Sequence, residues 1–593
     1  MKLFKYYLPF ILLTLFWNCS KEENDEDELQ PKPPVVEITA PEEGVTIEKG
    51  AEVVIEIHAS DSDSKVELVK LFINQENIAY WEAPPYEQLW KTADLDKGEY
   101  YINVTAEDDQ DLSAQASVSV QITESSGNTQ QAYTITGILK ERSTGSPLQG
   151  IVMKLGDSTS TTASDGLFQF TDEVTGNRTV YSAVSDSYIP VQYSWDFEPD
   201  NDYEFDIYAY SRPSVVNPKN AEFIRGISLF DAGPWMAQDL YPDAFKLTFD
   251  RLNDMHANLV TVFDPVFVTV VGEDSVAMST SANSQYEWSM LSHEQYSTMS
   301  SEAASRNLNM MYWLGVWPHN EKQLDGKSFN EIVFSGHELS DAFWEDWFSE
   351  YTAILKEYAT TAESSGAPWL SLGHGLSYAT SPSAFSSVAL YESLWTDLMN
   401  SIRDVYNGKI VYFGAARPFT TINYKGSEEW KYYEDEGYTE GFKSLFDAFG
   451  IVVSNVTETQ NPTDEQVKAA VNDMLSRYSG FEKPLIFWVW APSVDGAANT
   501  YGHLEPVLAV GDEANNWTVD FYEQADLYQG ILKAVNETSV DIQGVISHGY
   551  MYYDRFTKYE PRDMNTAFEK AASVRGKPAE KILEYWFENI GGN

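Results

Sequence analysis

The sequence predicts a multidomain chain, two all-β sandwiches followed by an α/β (β/α)8 barrel, and three observations predict it. At 593 residues the chain has length for several domains. Short alternating strands between turn residues fill 35–123 and, after a Ser/Gly/Gln linker, 132–210. From 211 to 593, apolar strand-like runs alternate with longer helical patterns, the signature of parallel strands joined by helices.

The N-terminal element, 1–18, starts with Met1-Lys2-Leu3-Phe4-Lys5 and continues as an apolar run over 8–17. A bilayer-spanning helix needs about 20 apolar residues, so this run fits the core of a secretory signal instead. Cys19 follows, the only cysteine, which leaves it without a disulfide or metal-site partner. Residues 19–34 are acidic, proline-containing and aperiodic, a flexible stalk by composition. Cys19 with its preceding apolar run resembles a bacterial lipoprotein signal, although Trp17-Asn18 stands where such signals carry small residues. Ser20-Lys21-Glu22-Glu23-Asn24-Asp25-Glu26-Asp27-Glu28 resembles the acidic tag of Bacteroidetes-type surface lipoproteins. The resemblance implies lipidation at Cys19 and a body held outside the cell on the outer membrane.

Charge narrows the partners. Lys and Arg total 39 against 91 Asp and Glu, a formal net charge of −52, which repels phosphate backbones and argues against nucleic acid. The same field disfavours polyanionic glycans and leaves neutral ones untouched. The 17 Trp and 36 Tyr suit stacking on flat sugar faces, but equally suit cores and interfaces.

In 35–123 the runs 53–59, 66–73 and 100–106 read as strands. Ile38-Thr39-Ala40-Pro41-Glu42-Glu43-Gly44, Ala83-Pro84-Pro85-Tyr86 with Trp90, and Val104-Thr105-Ala106-Glu107-Asp108 resemble bacterial Ig-like domains. Asp61, Asp63, Asp108 and Asp109 are either calcium ligands, being hard oxygen donors, or solvated turn acids. In 132–210, Ile135-Thr136-Gly137-Ile138, Thr144-Gly145-Ser146-Pro147-Leu148-Gln149-Gly150 and Thr162-Ala163-Ser164-Asp165-Gly166-Leu167-Phe168 resemble the carboxypeptidase regulatory-like sandwich. That resemblance implies a spacer or docking module without chemistry of its own.

The barrel rests on eight apolar runs, 223–227, 259–263, 309–316, 369–372, 410–413, 449–453, 485–490 and 544–548. Amphipathic helices are predicted between them, for instance over 341–358 and 521–535. The chain shows no Gly-rich phosphate loop, no Cys/His metal spacing and no Ser nucleophile elbow, so neither cofactor nor metal is expected.

Arg225-Gly226-Ile227, Ala257-Asn258-Leu259-Val260, Trp347-Phe348-Ser349-Glu350-Tyr351, Gln524-Ala525-Asp526-Leu527-Tyr528 and Arg575-Gly576-Lys577-Pro578-Ala579 together resemble glycoside hydrolase family 113, a mannanase-type family of retaining β-glycosidases. Retaining chemistry needs two carboxylates roughly 5 Å apart, an acid/base and a nucleophile. The resemblance places them at the ends of strands four and seven, where this sequence has Gly375 and, near the strand end, Val489. Neither can move a proton or attack an anomeric carbon.

Three readings stand at this point. In the first, the barrel binds a neutral polysaccharide or oligosaccharide without cutting it, within a glycan-utilisation system whose other proteins are possible partners. In the second, relocated carboxylates hydrolyse the glycan, Glu458 and Asp495 being the pair because they follow adjacent strands six and seven. In the third, the chain is a structural or adhesive surface protein. For binding, the strand ends offer Asp231, Asp264, Trp317, His319, His374, Tyr378, Arg417, Trp490, His548 and Tyr553. Each of these carboxylates also suits a solvated loop or a helix cap. Trp488 and Trp490 are two apart, so a strand sends both to one side, with Trp488 in the core and Trp490 nearer the mouth.

Overall fold

The computed structural model describes residues 32–591, apart from 75, 82, 93–94, 111, 124–132, 173–175, 184, 198–201, 230–243, 281–290, 319–338, 374–375, 415–437, 500–516 and 551–568. Among the described residues no helix is long and apolar enough to cross a membrane.

The first sandwich packs a three-stranded sheet on a five-stranded one. Its predicted strands are present as Glu52–Ser60, Val66–Ile73 and Gly98–Asp108. Alternation does the work here: Val66–Ile73 buries Val69, Leu71 and Ile73 while its intervening residues stay more open. The second sandwich pairs a four-stranded with a three-stranded sheet around Ile135, Met153, Phe168, Phe170 and Ile207.

The third unit is a closed barrel of eight parallel strands: β1 (Ile224–Leu229), β2 (Leu259–Gly272), β3 (Asn309–Pro318), β4 (Trp369–Gly373), β5 (Lys409–Gly414), β6 (Ala448–Val453), β7 (Leu485–Val489) and β8 (Ile542–Tyr550). Each strand pairs with the next, and β8 returns to β1. All eight coincide with a predicted run. One feature was not predicted: β2 runs on to Gly272 and turns into an antiparallel strand, Ser275–Ser279. Because β2 has valine at 266, 268, 270 and 271, the whole stretch favours strand.

Around the barrel lie α1 (Ala244–Asp254), α2 (His293–Ala304), α3 (Asp341–Ser364), α4 (Val388–Arg403), α5 (Glu440–Ser444), α6 (Asp464–Ser476), α7 (Phe521–Glu537) and α8 (Pro578–Ile590). Their starts are written locally. Ser292 with Gln295 and Thr463 with Gln466 form capping boxes, Ser340 and Asp520 cap α3 and α7, and Pro578 opens α8.

Strands buried on both faces sort their side chains into two cores. Odd residues of β7, Leu485, Phe487 and Val489, join the layer beneath the helices. Even residues, Ile486 and Trp488, face the barrel axis with Met311, Trp313, Val411, Phe413, Val452 and Ile546. The axial core is strongly aromatic. Trp313 stacks on Phe413 at 4.2 Å and meets Trp488 edge-on at 4.2 Å. Gly450 makes room for it, since a Cβ there would lie 2.1 Å from the Phe413 ring.

The second sandwich is fixed to the barrel by charge and rings. Arg142 holds Asp526 of α7 with two bonds of 3.0 and 2.7 Å, and Tyr210 Oη donates to the same carboxylate at 2.7 Å. The Arg142 guanidinium also lies over the rings of Tyr208 and Tyr522. Gln192 of the sandwich donates to Glu580 of α8, which Arg251 of α1 grips at 2.8 and 2.7 Å.

Candidate functional site at the barrel mouth

Active sites of this architecture form where the strands end, so the side chains there decide the chemistry. On β7 the axial face ends in Trp488, and the next residue of that parity is Trp490. The ladder continues one step beyond the strand, with Trp490 N donating to Val453 O at 3.0 Å. Trp488 is 2% exposed, whereas Trp490 is half-buried and packs against the axial core. Their rings lie 5.4 Å apart. His548, at the end of β8, touches both, at 4.9 Å from Trp488 and 4.2 Å from Trp490. Three rings from two neighbouring strands thus form one cluster at the top of the barrel, with Trp490 its half-buried member. As predicted, the two tryptophans share a side, Trp488 in the core and Trp490 towards the mouth.

The resemblance places the family's nucleophile near Val489. Val489 has no exposed surface and belongs to the layer under the helices, so its side chain points away from the axis. A nucleophile must face the cleft. On β7 the cleft-facing positions are therefore Trp488 and Trp490. The acid/base position, Gly375, lies outside the described residues; the neighbouring Gly373 ends β4 with φ +121°, a conformation open to glycine.

The two carboxylates predicted to act together follow β6 and β7 as expected. Glu458 is exposed. Asp495 is half-buried and engaged: in the amide orientation that satisfies both partners, Asn461 donates to Asp495 Oδ1 at 3.0 Å and to Glu523 Oε2 at 2.9 Å. The two loops are joined by Thr457 N donating to Ala498 O. Of the predicted binding residues, Trp490 and His548 come together. Asp264 and Trp317 lie on β2 and β3, and Tyr378 lies in a short helix, Ser377–Thr380, but their side chains are outside the described set. Asp231, His319, His374, Arg417, Tyr553 and Cys19 are likewise outside the described residues.

In the first sandwich, Asp61 Oδ1 accepts from Asp63 N and Ser64 N, and Asp108 Oδ1 accepts from Gln110 N and Leu112 N. These are turn-forming acids. Among the described residues no group of three or more His, Cys, Asp or Glu is set to hold a metal ion.

Sequence reasoning missed three buried carboxylates. Glu523, on the first turn of α7, is pushed up to about 7 by burial, against two backbone amide bonds and with the charges of Asp520 and Asp495 adding to the rise. Asp526 is pushed up to about 6 by burial, although Arg142 and Tyr210 pull it down. Glu580 shows the opposite outcome. Burial raises it, but Arg251, Tyr550 and Gln192 hold it at about 2. The available signal was α7 itself, where Glu523, Gln524, Asp526 and Gln529 share a helix with apolar residues on every side.

The profile described as Glycoside Hydrolase Family 113 matches residues 248–554, just over half of the chain, and that of a bacterial Ig domain matches 34–104. A search of the curated proteins finds no match. Among solved structures, the chain is similar to a GH113 β-1,4-mannanase with 17% identity and a TM-score of 0.40, covering 62% of this chain and 99% of that one. It is also similar to the GH113 β-mannanase AaManA from Alicyclobacillus acidocaldarius in complex with ManMIm, with 19% identity, a TM-score of 0.39 and coverage of 63% and 100%. The fibronectin(III)-like modules of Clostridium thermocellum CbhA match with 33% identity and a TM-score of 0.14 over 15% of this chain and 97% of that one.

Proposed function

The chain belongs to glycoside hydrolase family 113, and from that membership we propose that its barrel binds a neutral glycan at the mouth without cleaving it. The observation that carries this reading is the axial face of β7, which presents Trp488 and Trp490 where a retaining mechanism needs a carboxylate. A half-buried indole beside an imidazole suits the flat face of a pyranose. Among the described mouth residues, Glu458 is exposed and Asp495 is occupied by Asn461, which favours binding over relocated catalysis.

The rest of the proposal concerns placement. Cys19 carries the lipid, the acidic stalk spans the gap to the body, and the protein serves polysaccharide utilisation at the surface of the outer membrane. Replacing Cys19 with Ala should move the protein from the membrane fraction to the soluble one; a variant that stays in the detergent phase removes the anchor.

The family makes β-1,4-mannan the first glycan to try. The test is affinity electrophoresis of the unlipidated protein on mannans and other plant, algal and fungal polysaccharides, beside the Trp490→Ala variant. Retardation on one neutral glycan that disappears in the variant supports the reading. Equal migration of both proteins on every glycan contradicts it.

A further inference from the structure

The first turn of α7 carries two polar side chains with no access to solvent, and both reach out of the helix to the loop that follows β7. Gln524 Nε2 donates at 2.7 Å to Ala491 O, the carbonyl next after Trp490, and at 3.1 Å to Ala572 O. Glu523 divides its two oxygens over the same loop. Oε2 accepts from Gly496 N at 2.7 Å and Oε1 from Ala498 N at 2.8 Å. Asn461, from the loop after β6, adds a donor to Oε2 and bridges to Asp495. The main chain closes the remaining gaps: Asp520 N donates to Ser493 O and Asp495 N to Thr518 O, each at 2.9 Å.

We propose that Glu523 is a positioning residue for the barrel mouth, fixing the loop after β7, and with it the Trp490 ring, by pinning the Gly496 and Ala498 amides. A loop whose Val494, Ala497 and Ala498 are fully buried cannot leave its amides to water, so a buried acceptor must take them. Glu523 is that acceptor, and it lies on a helix held by both barrel and sandwich. Trp490 is anchored at one end by Val453 and at the other by the pinned loop. The consequence for ligand rests on the glycan reading above; the pin itself does not.

The groups around the pin give it a signature that a purely steric role would lack. Asp520, the cap of α7, and Asp495 on the loop both face Glu523 with negative charge, and Asn461 faces it as a neutral donor. Its carboxyl is raised above 4.5, so the pinned arrangement holds a proton more tightly than the open loop does. Ionisation strengthens the two amide bonds but adds the cost of burying the charge, which is the larger effect, so the closed loop loses stability as pH rises from about 4.5 through about 7.

The test is amide exchange followed by mass spectrometry on the full-length body, corrected for intrinsic rates, at pH 5.5 and 8. In the wild type, protection of 494–499 should be higher at pH 5.5. In Glu523→Gln it should be independent of pH, with Ala498 or Gly496 losing at least about tenfold in protection, because the amide nitrogen faces a donor. Asn461→Gly keeps the left-handed backbone at 461 (φ +46°) and should loosen Asp495 without unfolding the barrel. Unchanged protection in Glu523→Gln, or the same pH dependence as wild type, overturns the pin. Should a glycan be retained, Glu523→Gln should weaken it about fivefold or more; equal affinity with a loosened loop overturns the positioning role. If the wild type retains no glycan, the glycan reading fails while the exchange arms still decide the pin.

Discussion

The seam between sandwich and barrel and the mouth of the same barrel use opposite materials. At the seam, carboxylates are buried and matched: Asp526 with Arg142 and Tyr210, Glu580 with Arg251, Tyr550 and Gln192. At the mouth, Trp488, Trp490 and His548 occupy the axial positions. A buried charge endures only where a fixed partner meets it, and the seam supplies guanidinium groups for the purpose. Among the described residues the axial positions of the mouth offer rings, which suit a neutral partner. The difference teaches that acids in this very acidic chain are no guide to chemistry; their partners are.

Breaking the seam should give the largest effect. Arg251→Ala removes the guanidinium paired with Glu580, which is 2% exposed, and should cost about 3–5 kcal/mol of stability, read as a lower denaturant midpoint at constant slope. A loss below about 1 kcal/mol would mean that Tyr550, Gln192 and Gly576 N carry the carboxylate unaided. Arg142→Ala sharpens the contrast within the seam. Asp526 already sits near 6, so it can take a proton, and its loss of stability should be smaller at pH 5 than at pH 8.

Acid gives the next effect. The folded Glu580 titrates near 2, below its unfolded value of 4.5, so its stabilisation is present above about pH 4.5 and is lost as pH falls towards 2. The loss is on the order of 3 kcal/mol for that shift. Urea midpoints of the wild type between pH 5 and pH 2.5 should fall more steeply than those of Glu580→Gln.

The axial core is a milder test. Gly450→Ala drives a methyl into the Phe413 ring, on which Trp313 stacks, and should cost about 1–3 kcal/mol. An unchanged midpoint would mean that the aromatic stack yields freely. Smallest in stability and largest in function is Trp490→Ala. Loss of its half-buried ring should cost only about 1 kcal/mol of stability while weakening glycan about tenfold, the scale of one lost stacking contact.

Much of this was legible in the sequence, for physical reasons that can be named. Parallel strands buried on both faces are continuous apolar runs, so all eight barrel strands stood out. Period two placed Trp488 and Trp490 on one side. The same parity turns Val489 to the helix side. Asp526 and Glu580 escaped because their partners Arg142 and Gln192 come from the second sandwich, hundreds of residues away in sequence, and Glu523 because the loop after β7 closes over it. Nothing local marks Arg142 as the partner of Asp526. The extension of β2 is less legible because Asp264-Pro265 interrupts the apolar run after Phe263, before the valines that carry it on.

The central claim is that the mouth holds a glycan and leaves it whole. The direct measurement is a long incubation with the glycan that the protein retains on the gel, following reducing ends and product size by mass spectrometry. The account predicts no release above the no-protein control. Release that Glu458→Ala or Asp495→Ala abolishes would contradict it and make the chain a hydrolase with relocated carboxylates.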